Sequence, residues 1–134
     1  WFLDVFDRKE KIMPGKGAIF FVLGSILVLA IFPQHIALAS IMILALGDSV
    51  ATMVGMHLGK VRSITRKSME GFFAGAAAAF LGAFFFIDLF SAFAASVAAM
   101  CFELLEVRLG RKVIDDNIMV PLASALVMWV LSIL

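Results

Sequence analysis

Five apolar runs, parted by breaks as short as two residues, constrain this chain more than any other feature. They occupy about 17–32, 36–58, 71–87, 90–107 and 118–134. A bilayer-crossing helix takes roughly 20 apolar residues, with a range of about 17–25. Ala, Leu, Phe and Gly dominate the runs, and apolar and polar residues do not alternate with a period of two. That pattern predicts helices rather than barrel strands. The chain is 63% hydrophobic, whereas soluble domains run near 45–50%. A water-soluble fold of 134 residues has too little interior to hide so much apolar surface. The expected fold is therefore all-α, a polytopic integral membrane bundle of about five transmembrane helices forming one domain over 1–134. A start at Trp1 with a mixed-charge stretch over 1–16 leads us to expect a fragment of a longer protein.

The charges agree with a five-span count. Of 11 Lys and Arg residues, four lie in 1–16 (Arg8, Lys9, Lys11, Lys16). Four more lie in 59–70 (Lys60, Arg62, Arg66, Lys67) and three in 108–117 (Arg108, Arg111, Lys112). The breaks at 33–35 and 88–89 have none. Five spans put all three basic segments on one side. The positive-inside rule makes that side cytoplasmic, so 1–16 is read as a cytoplasmic juxtamembrane segment and 59–70 and 108–117 as cytoplasmic loops. A net charge of +1 indicates no nucleic-acid partner, and one cysteine excludes an intrachain disulfide.

Basic loops account for topology but not for the acids. Asp48 sits inside the second run, where an ionisable side chain costs at least about 2.5–3.5 kcal/mol at mid-bilayer and normally faces a cavity. Asp48, Thr52, Gly55 and Gly59 recur at helical spacing as one polar or small stripe. Glu103 and Glu106 lie one turn apart at the end of the fourth run, and Asp115-Asp116-Asn117 precede the fifth. Only Asp88 falls on the other side. Carboxylates beside Lys60, Arg62, Arg66 and Lys67 suit phosphoryl transfer. They hold Mg²⁺ through hard oxygens, cations offset triphosphate charge, and a carboxylate can take the proton of an attacking hydroxyl. A helix starting near Ser68, with Gly71 allowing close approach, offers backbone N–H groups to phosphate.

Plainer explanations stand beside each of these. Gly55-x3-Gly59-Lys60 is not a P-loop, being one residue short and without Ser or Thr after the lysine. The series Gly47, Ala51, Gly55 and Gly59, like Gly71, Gly75 and Ala79, serves helix packing equally well. Asp115-Asp116-Asn117 can be a helix cap. His35 and His57 have no ligand-type spacing.

Together the polar blocks resemble the CTP-dependent polyprenol kinase family, which includes dolichol kinase, phytol kinase and the CTP-using diacylglycerol kinase. The likeness runs from about 45 to 122. It is carried by Gly47-Asp48-x2-Ala51-x3-Gly55-x3-Gly59-Lys60, then Lys67-Ser68-x-Glu70-Gly71-x3-Gly75, then a glutamate, then Asp115-Asp116-Asn117-x3-Pro121. The resemblance implies transfer of the γ-phosphoryl group of CTP to the hydroxyl of a membrane lipid alcohol, with Mg²⁺. It implies Asp48, Asp116 and Lys67 as catalytic residues. The nucleotide would be held by Gly55, Gly59, Lys60, Arg62, Lys67, Ser68, Glu70, Gly71 and Asn117. The metal would be held by Asp48, Asp115 and Asp116 with Glu103 or Glu106. Two other readings are a CTP:lipid-phosphate cytidylyltransferase, whose usual C-terminal elements are missing here, and a small transporter or membrane assembly subunit with Asp48 as an ion site. The identity of the lipid and the oligomeric state stay open.

A straight second helix would leave Asp48 about 16 Å from its inner end. The site then needs that helix to protrude well beyond the bilayer, or a water-filled cleft that reaches the acids.

Overall fold

The computed structural model describes residues 15–60, 68–105, 108–109, 112–113 and 115–134. Among the described residues it is all-α, with five helices in the places of the five apolar runs: α1 (Lys16–Ile31), α2 (Gln34–Leu58), α3 (Met69–Phe84), α4 (Leu89–Leu105) and α5 (Asp116–Ile133). A two-residue antiparallel pair, β1 (Arg108–Leu109) with β2 (Lys112–Val113), interrupts the segment between α4 and α5. The segment 108–117 is therefore not wholly loop. Arg108 and Lys112 sit on the paired strands, and its last two residues already belong to α5.

Helix ends follow local chemistry. Ser68 caps α3, its Oγ accepting the Gly71 N–H at 3.0 Å. That cap starts the helix two residues ahead of the apolar run predicted at 71. The same helix stops at Phe84 rather than continuing to 87. Pro33 precedes α2, so the chain turns from α1 into α2 across Phe32 and Pro33 alone. Asp88 accepts the Ser91 N–H at 2.9 Å and so caps the start of α4. The lone acid on the far side thus has a structural role.

The helices alternate in direction. α2 and α3 make the most extensive contact and run antiparallel along a seam of small residues. Ala79 and Gly75 of α3 lie against Gly47, Gly71 lies against Ala51, and Ser68 lies against Gly55 and Gly59. Phe80 stacks edge-on against Phe93, and Met100 reaches Gly75, so α4 runs back along α3. α5 packs against α4, α2 and α1. The termini of α1 and α5 match at both ends, through Gly17 with Asn117 and Phe32 with Trp129. Those two helices are parallel.

The interior mixes small side chains with a few large ones. Buried positions include Ala37, Ala39, Ala79, Ala83, Ala92, Ala95, Ala99 and Ala125, together with Ile36, Ile43, Leu44, Met100 and Met128. Many large apolar residues lie outside: Phe73 is 65% exposed, Leu81 60%, Phe90 68% and Ile133 65%. A water-soluble bundle places its large apolar residues on the inner stripe. So many bulky residues on the outside, with small ones at the helix contacts, suit a protein whose surface meets an apolar surround. Two helices, α2 and α5, are long and apolar enough to cross a membrane; α1, α3 and α4 are shorter apolar helices.

Candidate functional site

α2 is one unbroken helix of 25 residues, about 37 Å at 1.5 Å per residue. Asp48 lies near its middle and is half-buried. The contact edge toward α3 consists of Gly47, Ala51, Gly55 and Gly59. Asp48 and Thr52 each follow a seam residue and are turned from it by about 100° around the helix axis. Seven and eleven residues further on, Gly55 and Gly59 return to within about 20° of Asp48, so the stripe expected from spacing lies along the flank of the seam; Thr52 on it is exposed.

The seam glycines sit in close helix contact. A Cβ on Gly55 would lie 2.8 Å from the Ser68 Oγ. One on Gly71 would lie 2.5 Å from the Ala51 carbonyl. One on Gly59 would collide with the Gly55 carbonyl and lie 2.7 Å from the Ser68 Cβ. The space each missing side chain leaves is taken up by the approach of α2 and α3, as the packing explanation expects.

The polar residues around that seam are brought together at one end. The Glu70 carboxylate accepts the Lys60 backbone N–H at 3.2 Å, tying the end of α2 to the first turn of α3 across the 61–67 segment. Glu70 thereby positions Lys60 through its main chain. Lys60 is exposed. Ser68, half of that junction, is buried by its contacts with Gly55 and Gly59. Arg62, Lys67 and Glu106, three further expected site residues, lie outside the described residues.

Glu103 is 7% exposed, on the last turn of α4. Met100, one turn before it, reaches both Gly47 and Gly75. Because α2 and α4 run in the same direction, Glu103 lies within about one turn of the level of Asp48. Asp115 is the N-cap of α5, its Oδ1 accepting the Asn117 N–H at 3.0 Å. Asp116 follows in the first turn. The side-chain amide of Asn117 is directed toward α1 and donates to the Gly17 carbonyl at 3.3 Å. The Asn117 amide, expected at the nucleotide, thus also ties α5 to α1.

Sequence reasoning assigned nothing to α1. The structure brings Gly17 and Gly24, two turns apart, against Asn117. Their spacing of seven was visible in the sequence, but a glycine pair on one helix does not name the turn it will seat. Among the described residues no three His, Cys, Asp or Glu side chains lie together as a ready metal cage. Mg²⁺ does not require one, since it is ordinarily bound by one or two carboxylates plus substrate phosphates and water.

Among known proteins, the chain is similar to a protein of Methanocaldococcus jannaschii named only as uncharacterized protein MJ1137. The two are 32% identical over 122 residues, covering 90% of this chain and 61% of that protein. The chain thus spans about three-fifths of the length of the relative it matches. No protein-family model matches the chain, and no solved structure does.

Proposed function

We propose that this chain is part of a multi-pass membrane lipid kinase that transfers the γ-phosphoryl group of CTP to the hydroxyl of a lipid alcohol at the cytoplasmic face. The observation that carries the reading is convergence. Three polar blocks far apart in sequence end at the same pole of the bundle, two of them joined by the Glu70–Lys60 bond and the Ser68 contacts. The resemblance drawn from those blocks names the reaction. The many exposed bulky apolar side chains, phenylalanines among them, with alanine and glycine at the helix contacts, support the membrane setting.

Within that reading each residue has a physical task. The start of α3 presents backbone N–H groups and the positive end of a helix dipole to the nucleotide phosphates. Lys60, held at the junction, adds a cation beside them. Asp48, with Glu103 near its level and Asp116 on the first turn of α5, supplies the carboxylates. Bound with the nucleotide, Mg²⁺ would neutralise phosphate charge and be held by Asp48 and Asp116. One of these carboxylates takes the proton of the lipid hydroxyl. Depth favours a cleft over protrusion. A helix of about 37 Å exceeds a hydrocarbon core of roughly 30 Å by only about 7 Å. The first turn of α5 also sits beside the span from Gly17 to Gly24 rather than at the tip of α1, so its acids are recessed toward Asp48.

Reconstituted protein supplied with γ-labelled or α-labelled CTP and a panel of polyprenols, prenols and diacylglycerols tests this. Kinase action puts the γ label on the lipid and releases CDP. The α label on a lipid phosphate would instead mean a cytidylyltransferase, and no transfer from either would refute enzymatic CTP use. Asp48→Asn and Asp116→Asn should each abolish turnover with normal membrane levels; near-normal activity would remove that residue from the site.

A further inference from the structure

α5 contains Pro121, and proline has no backbone N–H. In an α-helix the N–H of residue 121 would bond the carbonyl of residue 117. Pro121 therefore deprives the Asn117 carbonyl of its regular helical donor. That same oxygen meets α1 at Gly24: a Cβ built on Gly24 would collide with the Asn117 carbonyl and lie 3.4 Å from the Ile118 Cα. Gly24 is buried. A carbonyl without its helical donor, set against a glycine Cα, is the arrangement in which a weak Cα–H···O contact forms. Two turns back along α1, the Asn117 side-chain amide donates to the Gly17 carbonyl. The backbone and the side chain of Asn117 thus both engage α1, at two glycines seven residues apart.

We propose that Gly24 is a positioning residue for the Asp115–Asn117 turn: it receives the carbonyl that Pro121 frees and, with the Gly17–Asn117 bond, sets the depth at which Asp115 and Asp116 are held. This inference rests on the proposed lipid-kinase site for its functional consequence, though not for its structural part. It makes α1, which contributes none of the site's carboxylates, a component of the site. It also gives Pro121 a role: the proline four residues after Asn117 removes a competing donor and leaves the carbonyl for α1. A longer side chain at position 24 pushes α5 away from α1 and displaces the two aspartates from Asp48.

The test compares Gly24→Ala, Pro121→Ala and the double variant with Ile26→Ala, an exposed control on the same helix, in the full chain in lipid nanodiscs. Amide hydrogen exchange of 116–119 is read beside steady-state kinetics with CTP and Mg²⁺. Gly24→Ala is expected to speed exchange at 116–119 about tenfold while leaving 69–79 unchanged. It should lower kcat about tenfold and raise the Mg²⁺ needed for half-activity, with the CTP KM within about twofold. In the Pro121→Ala background, where Asn117 regains its helical donor, the exchange effect of Gly24→Ala should shrink. Wild-type exchange and kinetics in Gly24→Ala would overturn the proposal. If Gly24→Ala fails to accumulate, accumulation of the double variant supports the link to Pro121, and failure of both refutes it. Faster local exchange in a protein whose wild type phosphorylates no lipid upholds the positioning role and refutes the kinase reading.

Discussion

Two glycines on one helix should respond oppositely to the same substitution. Gly75 and Gly82 both lie in α3 and are both buried. Replacing an interior helical glycine by alanine gains about 1 kcal/mol from backbone propensity alone. At Gly75 the new Cβ would sit 2.8 Å from the Ala51 Cβ, the Gly47 carbonyl and the Met100 Sδ. Ordinary contact begins at 3.4 Å, so each neighbour is 3.4 − 2.8 = 0.6 Å too near. Met100 can swing aside, but Ala51 and the Gly47 backbone belong to α2 and move only if the seam opens. Overpacking of that kind costs typically about 1–3 kcal/mol, which outweighs the propensity gain and leaves Gly75→Ala about 1 kcal/mol less stable. At Gly82 the one close neighbour is the Leu46 Cδ1 at 2.7 Å, with Met42 at 3.4 and 3.6 Å. Leu46 Cδ1 is the free end of a flexible side chain, so most of the gain survives and Gly82→Ala should be neutral to about 1 kcal/mol more stable. Unfolding by SDS titration in mixed micelles, followed by circular dichroism, measures both. Equal stabilisation of the two variants would refute the claim that the α2–α3 seam is closed to added atoms at Gly75.

Ser68→Ala removes the acceptor for the Gly71 N–H and should destabilise the bundle by about 1 kcal/mol in the same titration. Asp88 has a carboxyl pKa held below its ordinary 3.8, chiefly by the Ser91 backbone N–H. A depressed folded pKa means a contribution that is complete above 3.8 and lost as pH falls through the lower folded value. The stability difference between wild type and Asp88→Asn should accordingly stay flat from neutrality toward pH 4 and change only below it; a change confined to neutral pH would contradict the capping role. Lys67→Met should raise the CTP KM or lower kcat about tenfold, as loss of a phosphate-binding cation does, whereas Lys9→Met should alter neither. Equal effects from both would mean that general surface charge is being measured.

The helix count and order were legible because each apolar run is long and each break carries its own signal: Pro33 before α2, Ser68 before α3, Asp115 before α5. The division of labour among the glycines was not. Gly47, Ala51, Gly55 and Gly59 advance by four residues, and a four-residue step fits a packing row as well as a ligand-facing one. Only the partner helix, arriving with Gly71 and Gly75, decides between them. The α1 partner of Asn117 was hidden for a similar reason. Its own neighbours, Asp115 and Asp116, point to a polar site, while the residue that takes its amide, Gly17, is 100 positions away. The pairing of Arg108–Leu109 with Lys112–Val113 was also unread, because two-residue strands leave no periodic trace.

If the bundle spans the bilayer as proposed, its unequal helix lengths carry a consequence for the lipids around it. α3 has 16 residues, about 24 Å, beside an α2 of about 37 Å. A bilayer whose hydrocarbon core is roughly 30 Å cannot match both, and a short segment is accommodated by local thinning at a modest cost per ångström. The leaflet along α3 would dip toward Ser68 and the Lys60–Glu70 junction. A hydroxyl at the head of a membrane lipid would then ride inward with the dimpled surface. Bilayer thickness becomes an adjustable variable for any reaction at that pole, with thinner acyl chains bringing the acceptor closer and thicker ones drawing it away.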